Sequence, residues 1–231
     1  MLEDLSPEKR DHLMHYLSVF ITKRRMGRME KVLGQRTRYL TVVLEDIYQS
    51  QNASAVLRSC ECFGIQDVHI IENRYQFELN PEVVLGASKW LSLYRYGGCS
   101  NNTIECLSQL KEKGYRLIAT TPHKKEYKPA NLPLDQKTAL LFGTELEGLT
   151  ADAIKMADGY LRIPMQGFTE SFNISVSVAI SLYHLTNRLR DSIKGWELDG
   201  EESSALLFEW MYKSVRNPEI MIRHALEKLN Q

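Results

Sequence analysis

A chain of 231 residues, 43% hydrophobic and 25% charged, has room for one large domain with extensions, and its composition is that of an ordinary globular protein. Its 29 basic and 29 acidic side chains cancel, so binding of a polyanion must come from a local patch and not from the field of the whole chain. No apolar run approaches a membrane span, and MLEDLSPEKR lacks the apolar core of a secretory signal, which predicts a cytoplasmic protein.

Ser6-Pro7-Glu8 reads as a helix start: a capping hydroxyl, Pro in the first turn, then an acid near the positive end of the dipole. Leu13, Leu17, Phe20 and Ile21 then share a face. Residues 23–38, KRRMGRMEKVLGQRTR, carry Lys23, Arg24, Arg25, Arg28, Lys31, Arg36 and Arg38 against a single Glu. Two readings are open for this amphipathic stretch, a solvated basic face or a phosphate-binding extension.

From residue 39 the texture alternates between strands and helices. YLTVVLE (39–45) is a predicted strand, and Asn52 stands as the cap of a helix that stops at Gly64. VHII (68–71) and the weaker WLSLYRY (90–96) are the next strands. A helix over 103–113, stopped by Gly114, leads to strands at 115–120, 138–142 and 161–163. The stretch SFNISVSVAISL (171–182) alternates polar with apolar residues like a strand. Leu182, Leu185 and Leu189 nevertheless recur at helical spacing, in a run free of Gly and Pro from 168 to 194. Residues 195–231 read as a linker leading to one or two closing helices. The pattern predicts an α/β fold: a parallel sheet with helices on both faces over 39–193, flanked by helical extensions at 1–38 and 194–231.

The cysteines, Cys60, Cys62, Cys99 and Cys106, include a Cys-x-Cys, but no second pair or His partner stands at zinc-like spacing. Reduced thiols and no metal are expected. No glycine-rich phosphate loop or nucleophile elbow is present. Three stretches remain, each at the carboxyl end of a predicted strand, where open parallel sheets bind ligands. The first holds Asn52, by itself a helix cap, and Arg58, by itself a surface cation. Arg58 lies among Ala55, Val56, Leu57 and Cys60, a neighbourhood that predicts an anionic partner. The second is Phe142-Gly143-Thr144-Glu145 with Gly148, by itself a tight turn. The third runs from Ile163-Pro164-Met165 through Gly167 to Ser171 and Asn173, by itself a loop with a helix cap.

Together, N-x-x-x-x-x-R, F-G-x-E-x-x-G and I-P-M-x-G-x-x-x-S-x-N-x-S-V resemble, in order and spacing, the SpoU-like branch of the SPOUT RNA 2′-O-methyltransferases over residues 39–190. The basic stretch and GASKW (86–90) are most similar to the members of that branch acting on guanosine 18 of tRNA. The resemblance implies a C-terminal trefoil knot, a homodimer, S-adenosylmethionine as methyl donor and tRNA as partner. It implies that Asn52, Arg58, Glu145, Ser171 and Asn173 are catalytic-site residues. Thr121, Pro122, Gly143, Ile163, Met165 and Phe172 would hold the cofactor, and the seven cations of 23–38 would dock RNA phosphates. A ribosomal-RNA 2′-O-methyltransferase and a catalytically silent RNA-binding protein on the same fold stay open. So does another nucleotide-binding sheet, though it leaves the third stretch unexplained.

Overall fold

The computed structural model describes residues 5–124 and 126–229. The sequence reading includes 1–4 and 230–231 in the two extensions, and these lie outside the described residues. The chain divides into two compact units, one of Met1–Arg36 with Glu197–Gln231 and one of Thr37–Trp196. In chain order the helices are α1 (Pro7–Ser18), α2 (Lys23–Leu33), α3 (Ser50–Phe63), α4 (Pro81–Val84), α5 (Asn102–Glu112), α6 (Ala151–Met156), α7 (Ile174–Ser192), α8 (Gly200–Tyr212) and α9 (Pro218–Leu229). The strands are β1 (Leu40–Glu45), β2 (Asp67–Ile71), β3 (Ser92–Tyr96), β4 (Arg116–Thr120), β5 (Thr138–Phe142) and β6 (Gly159–Leu161).

The two extensions, separate in the sequence reading, build one body. Ser6 caps α1 through Lys9 N, and Thr22 caps α2 through Arg25 N. Leu13 and Leu17 of α1 are buried, as are Leu206, Phe208, Trp210 and Met211 of α8. Phe20 is exposed because the helix ends at Ser18, two residues before it. Arg10 of α1 pairs with Glu201 of α8 at 2.6 Å.

In the larger unit six parallel strands lie in the order β3-β2-β1-β5-β4-β6. Alternation along the strands feeds two cores. Leu40, Val42 and Leu44 of β1, with Leu140 and Phe142 of β5, join Val56, Leu57 and Cys60 of α3 and Val178, Leu182 and Leu185 of α7 on one face. Val43, Ala139 and Leu141 turn to the other face, against Cys106, Leu107 and Leu110 of α5 and Ala153 of α6. Burial on both faces is why these strands read as near-continuous apolar runs. Strand β4 precedes β5 in the chain, yet β5 fills the place between β1 and β4. The strand order therefore changes direction here, the situation in which a crevice opens beyond the carboxyl ends.

Three local expectations shift. The last strand is Gly159–Leu161, two residues earlier than the 161–163 expected. Asn52 is not the cap of α3: Gln49 holds that position without a side-chain cap bond, and Asn52 lies inside the first turn with its amide free for other partners. Helix α7 begins at Ile174, so 171–173 form its lead-in, and Asn173 is the true cap, accepting from Ser175 N at 2.9 Å. The alternation in SFNISVSVAISL does not describe burial. Ile174, Val178, Ser181, Leu182 and Leu185 are buried at helical spacing while Val176 is exposed.

Candidate active site

At the carboxyl ends of β4, β5 and β6, a cavity of about 550 Å³ opens between three segments. These are 121–124 after β4, 143–149 after β5, and the stretch after β6 that contributes Ile163, Met165 and 170–172. Thr121, Pro122, Gly143, Ile163, Met165 and Phe172, the residues named from sequence as cofactor-binding, all line it, with Glu145 and Ser171. A volume of this size suits a nucleoside-sized ligand.

The shape of the β5 loop follows from its glycines. Thr144 and Gly148 exchange backbone hydrogen bonds of 3.0 and 3.1 Å, and Gly148 adopts φ 72°, a left-handed conformation suited to Gly. A Cβ on Gly143 would overlap the carbonyl of Gly148. The turn closes because Gly143 leaves room for the Gly148 backbone and Gly148 tolerates the left-handed conformation. Below it, the buried Glu45 at the end of β1 anchors the loop's far end. Its Oε1 accepts from Thr103 Oγ1 at 2.5 Å and Thr150 Oγ1 at 2.8 Å, and its Oε2 accepts from Thr150 N at 2.8 Å. The sequence reading passed over Glu45. The signal was there, since a carboxylate closing the apolar run YLTVVL needs donors when buried.

On the rim of the cavity three distant residues converge. Asn52 Nδ2 donates to Glu145 Oε1 and, at 2.6 Å, to Gln49 Oε1. Asn173 Nδ2 donates to Asn52 Oδ1 at 3.1 Å. Both amide groups are thereby fixed in orientation: Asn52 with its nitrogen toward Glu145, Asn173 with its oxygen toward the N-terminus of α7. The other oxygen of Glu145 is buried without a hydrogen-bond partner among the described residues. An acceptor so placed at a cavity wall is open to a ligand donor. Gln49, absent from the sequence reading, joins the group as an acceptor for Asn52.

Arg58 does not join them. Six residues past Asn52, it lies about 240° further around α3 at the helical rotation of about 100° per residue. It is exposed, lines neither described cavity, and has no ion-pair partner among the described residues. The anionic partner expected from its apolar neighbours is therefore not found among the described residues. Those neighbours, Val56, Leu57 and Cys60, face the core while Arg58 faces outward.

The basic stretch also divides. Lys23, Arg24, Arg25, Arg28 and Lys31 are exposed on α2, around a buried Met29. Arg36 is only 1% exposed, its guanidinium 5.3 Å from the Trp210 ring centroid, and Arg38 Nε reaches both oxygens of Asp67 at 3.1 Å. These two arginines are engaged within the protein, unlike the exposed cations of α2. The described residues contain no cluster of side chains suited to a metal ion, and no disulfide joins Cys60, Cys62, Cys99 or Cys106. No helix of the described residues is long and apolar enough to cross a membrane.

Comparison with known proteins places the chain among named relatives. The chain is 47% identical over 201 residues to the tRNA (guanosine(18)-2'-O)-methyltransferase of Borreliella burgdorferi, covering 87% of this chain and 90% of that one. It is 31% identical to the protein of the same name from Thermus thermophilus, covering 83% and 98%. The crystal structure of the A. aeolicus TrmH/SpoU tRNA modifying enzyme superimposes with a TM-score of 0.74 at 26% identity, over 84% of this chain and 98% of that one. The model of the SpoU rRNA Methylase family matches residues 39–183, and the chain belongs to that family.

Proposed function

We propose that this protein transfers a methyl group from S-adenosylmethionine to a ribose 2′-hydroxyl of tRNA, that of guanosine 18. The observation that carries the reading is the junction of Asn52, Glu145 and Asn173 on the rim of a nucleoside-sized cavity. The chain's high identity to a named tRNA (guanosine(18)-2'-O)-methyltransferase selects the substrate.

The cavity fits the methyl donor. Thr121, Pro122, Gly143, Ile163, Met165 and Phe172 offer apolar walls and loop backbone to an adenine ring, and Glu145 Oε2 offers an acceptor in need of a donor. When bound, S-adenosylmethionine supplies a methyl group on a sulfonium sulfur, a good leaving group. The protein's remaining task is to hold a weakly nucleophilic hydroxyl in line and to let its proton leave. Asn52 and Asn173, locked to each other and to Glu145, hold fixed polar groups at the rim where the ribose enters. Ser171 on the cavity wall adds a hydroxyl that both donates and accepts.

A guanidinium presents donors only, in a planar fork that matches phosphate, so the role of Arg58 is to grip an RNA phosphate beside the reacting sugar, with the phosphate or water taking the proton. Because Arg58 lies off its own chain's cavity, a second copy brings it there. The working form is a homodimer, supported by the exposed apolar Leu146 of the β5 loop and Phe168, Phe172, Val176 and Tyr183 of the third stretch and α7. The knotted threading of the family accompanies that arrangement. Lys23, Arg24, Arg25, Arg28 and Lys31 supply phosphate contacts that add affinity without sequence information. The protein works in the cytoplasm, on tRNA.

Incubation with unmodified tRNA and labelled S-adenosylmethionine, followed by nucleoside mass spectrometry, tests the activity. The expected product is 2′-O-methylguanosine, and its absence with tRNA binding intact would favour the silent RNA-binding protein. Mixing an Asn52→Ala chain with an Arg58→Ala chain tests the dimer. Shared sites regain part of the activity in mixed dimers, and a mixture as inactive as its components would remove the second copy from the site.

A further inference from the structure

Two exposed tyrosines stand beside the junction without a role in it. Tyr48 follows β1 and Tyr75 follows β2, so both lie at the carboxyl edge of the sheet. Their rings are 5.4 Å apart at 46°, and 42% and 45% of their surfaces are exposed. The pair is tied to the site from two sides. Gln49 Nε2 donates to the Tyr48 hydroxyl at 3.2 Å, and the same Gln49 accepts from Asn52 at 2.6 Å. On the other side Arg74 Nη1 meets Glu147 Oε2 at 2.5 Å, two residues along the loop from Glu145.

The turn carrying Arg74 and Tyr75 is built, not loose. Asp46, buried and at φ 55°, accepts from Asn73 N at 2.7 Å and Arg74 N at 2.9 Å. A left-handed non-glycine residue held by such bonds fixes where Tyr75 and Arg74 stand. A cavity of about 170 Å³, lined in part by Asp46, Arg74, Tyr75, Thr144 and Glu147, lies between Tyr75 and the loop that bears Glu145.

We infer that Tyr48 and Tyr75 form a stacking platform for an unpaired base of the RNA substrate, with Arg74 at its edge to take the adjoining phosphate. Single-stranded RNA is recognised by splaying bases onto aromatic faces, and a ribose can reach a fixed catalytic junction only if its neighbouring base is held. The platform is continuous with that junction through Gln49. A guanidinium beside the rings suits an anionic chain, and an exposed pair such as Arg74–Glu147 is weak enough to exchange its carboxylate for a phosphate. The inference rests on the proposed RNA substrate and adds the residues that position it.

Binding of unmodified tRNA and of S-adenosylhomocysteine, measured separately on the full-length protein, tests it. Tyr75→Ala should weaken tRNA binding by about ten- to a hundredfold, the effect expected for loss of one stacked base. S-adenosylhomocysteine affinity and thermal midpoint should stay at the wild-type values. Tyr75→Phe should restore tRNA affinity because it keeps the ring. Arg74→Ala should reduce the salt dependence of tRNA binding by about one phosphate contact. If Tyr75→Ala lowers the thermal midpoint, Tyr75→Leu, which keeps bulk without an aromatic face, decides the matter by the same reading. Wild-type tRNA affinity in the Ala or Leu variant, or loss in the Phe variant, overturns the platform alone. A wild-type protein that binds no tRNA overturns the substrate reading, and the platform with it.

Discussion

The side-chain amide of Asn173 donates to Asn52 Oδ1 at 3.1 Å across 121 residues of chain. This bond joins the first turn of α3 to the cap of α7, and Asn52 passes it on to Glu145. Neither asparagine can rotate without breaking a bond that orients the other. The pair therefore behaves as one polar fixture at the mouth of the cavity.

Replacing Asn52 by Ala should lower methyl-transfer turnover on the order of a hundredfold, the scale on which small misplacements of a reacting group act. The first turn of α3 keeps its backbone, so far-ultraviolet circular dichroism should be unchanged. Single-turnover kinetics with saturating cofactor and RNA measures the effect. Asn52→Asp should be no better, because a second carboxylate would face Glu145 where a donor is needed.

Gly143→Ala should weaken S-adenosylhomocysteine binding roughly tenfold, since overpacking of this kind costs about 1–3 kcal/mol. The new Cβ would meet the Gly148 backbone and not a flexible side chain, so the whole turn must move. Isothermal titration calorimetry reads the loss directly. Gly167→Ala makes a control, because the nearest atom to a Cβ there is 4.0 Å away.

The division of the basic stretch predicts two kinds of variant. Arg24→Glu with Arg28→Glu should weaken tRNA binding and flatten its dependence on salt, leaving thermal stability near the wild-type value. Arg36→Glu should do the reverse. It places a charge of the wrong sign against Trp210 in a buried position and should lower the unfolding midpoint. Filter binding across a salt series and thermal denaturation separate the two.

His69 on β2 is 2% exposed, with its Nδ1 3.1 Å from the Tyr96 hydroxyl and its ring stacked on Tyr94. Burial first, and the nearby Lys113 second, hold the imidazole down at about 4, against an ordinary 6.5. The unfolded chain thus takes up the proton before the folded one. Stability should be complete above pH 6.5 and fall as pH drops toward 4, by about 3 kcal/mol across that window. Urea unfolding at several pH values should show the slope, and His69→Gln should flatten it.

Much of the fold could be read from local signals. Apolar runs such as TALLF became buried strands, and glycines 64 and 114 ended their helices in left-handed conformations. Gly143, Glu145 and Asn173 were singled out by the motifs they share with the SpoU-like branch, since by themselves they read as a tight turn and a helix cap. Other features depend on partners far along the chain. Asn52 looks like a cap in sequence because the bonds that pull it into the site come from residues 93 and 121 positions away. Arg36 looks like one more surface cation because Trp210, its aromatic neighbour, belongs to α8. Arg58 deceived in the opposite sense. Apolar sequence neighbours led to the expectation of an anionic partner, but on a helix adjacent residues point in different directions and Arg58 faces outward.

The most direct test of the central claim is methyl transfer to two synthetic tRNAs that differ in one atom, one with guanosine and one with 2′-deoxyguanosine at position 18. With labelled S-adenosylmethionine, the first should accept about one methyl group per molecule and the second none, while both bind the protein. Equal labelling of the deoxy tRNA would contradict the account, because the methyl group would then rest on some atom other than that ribose oxygen.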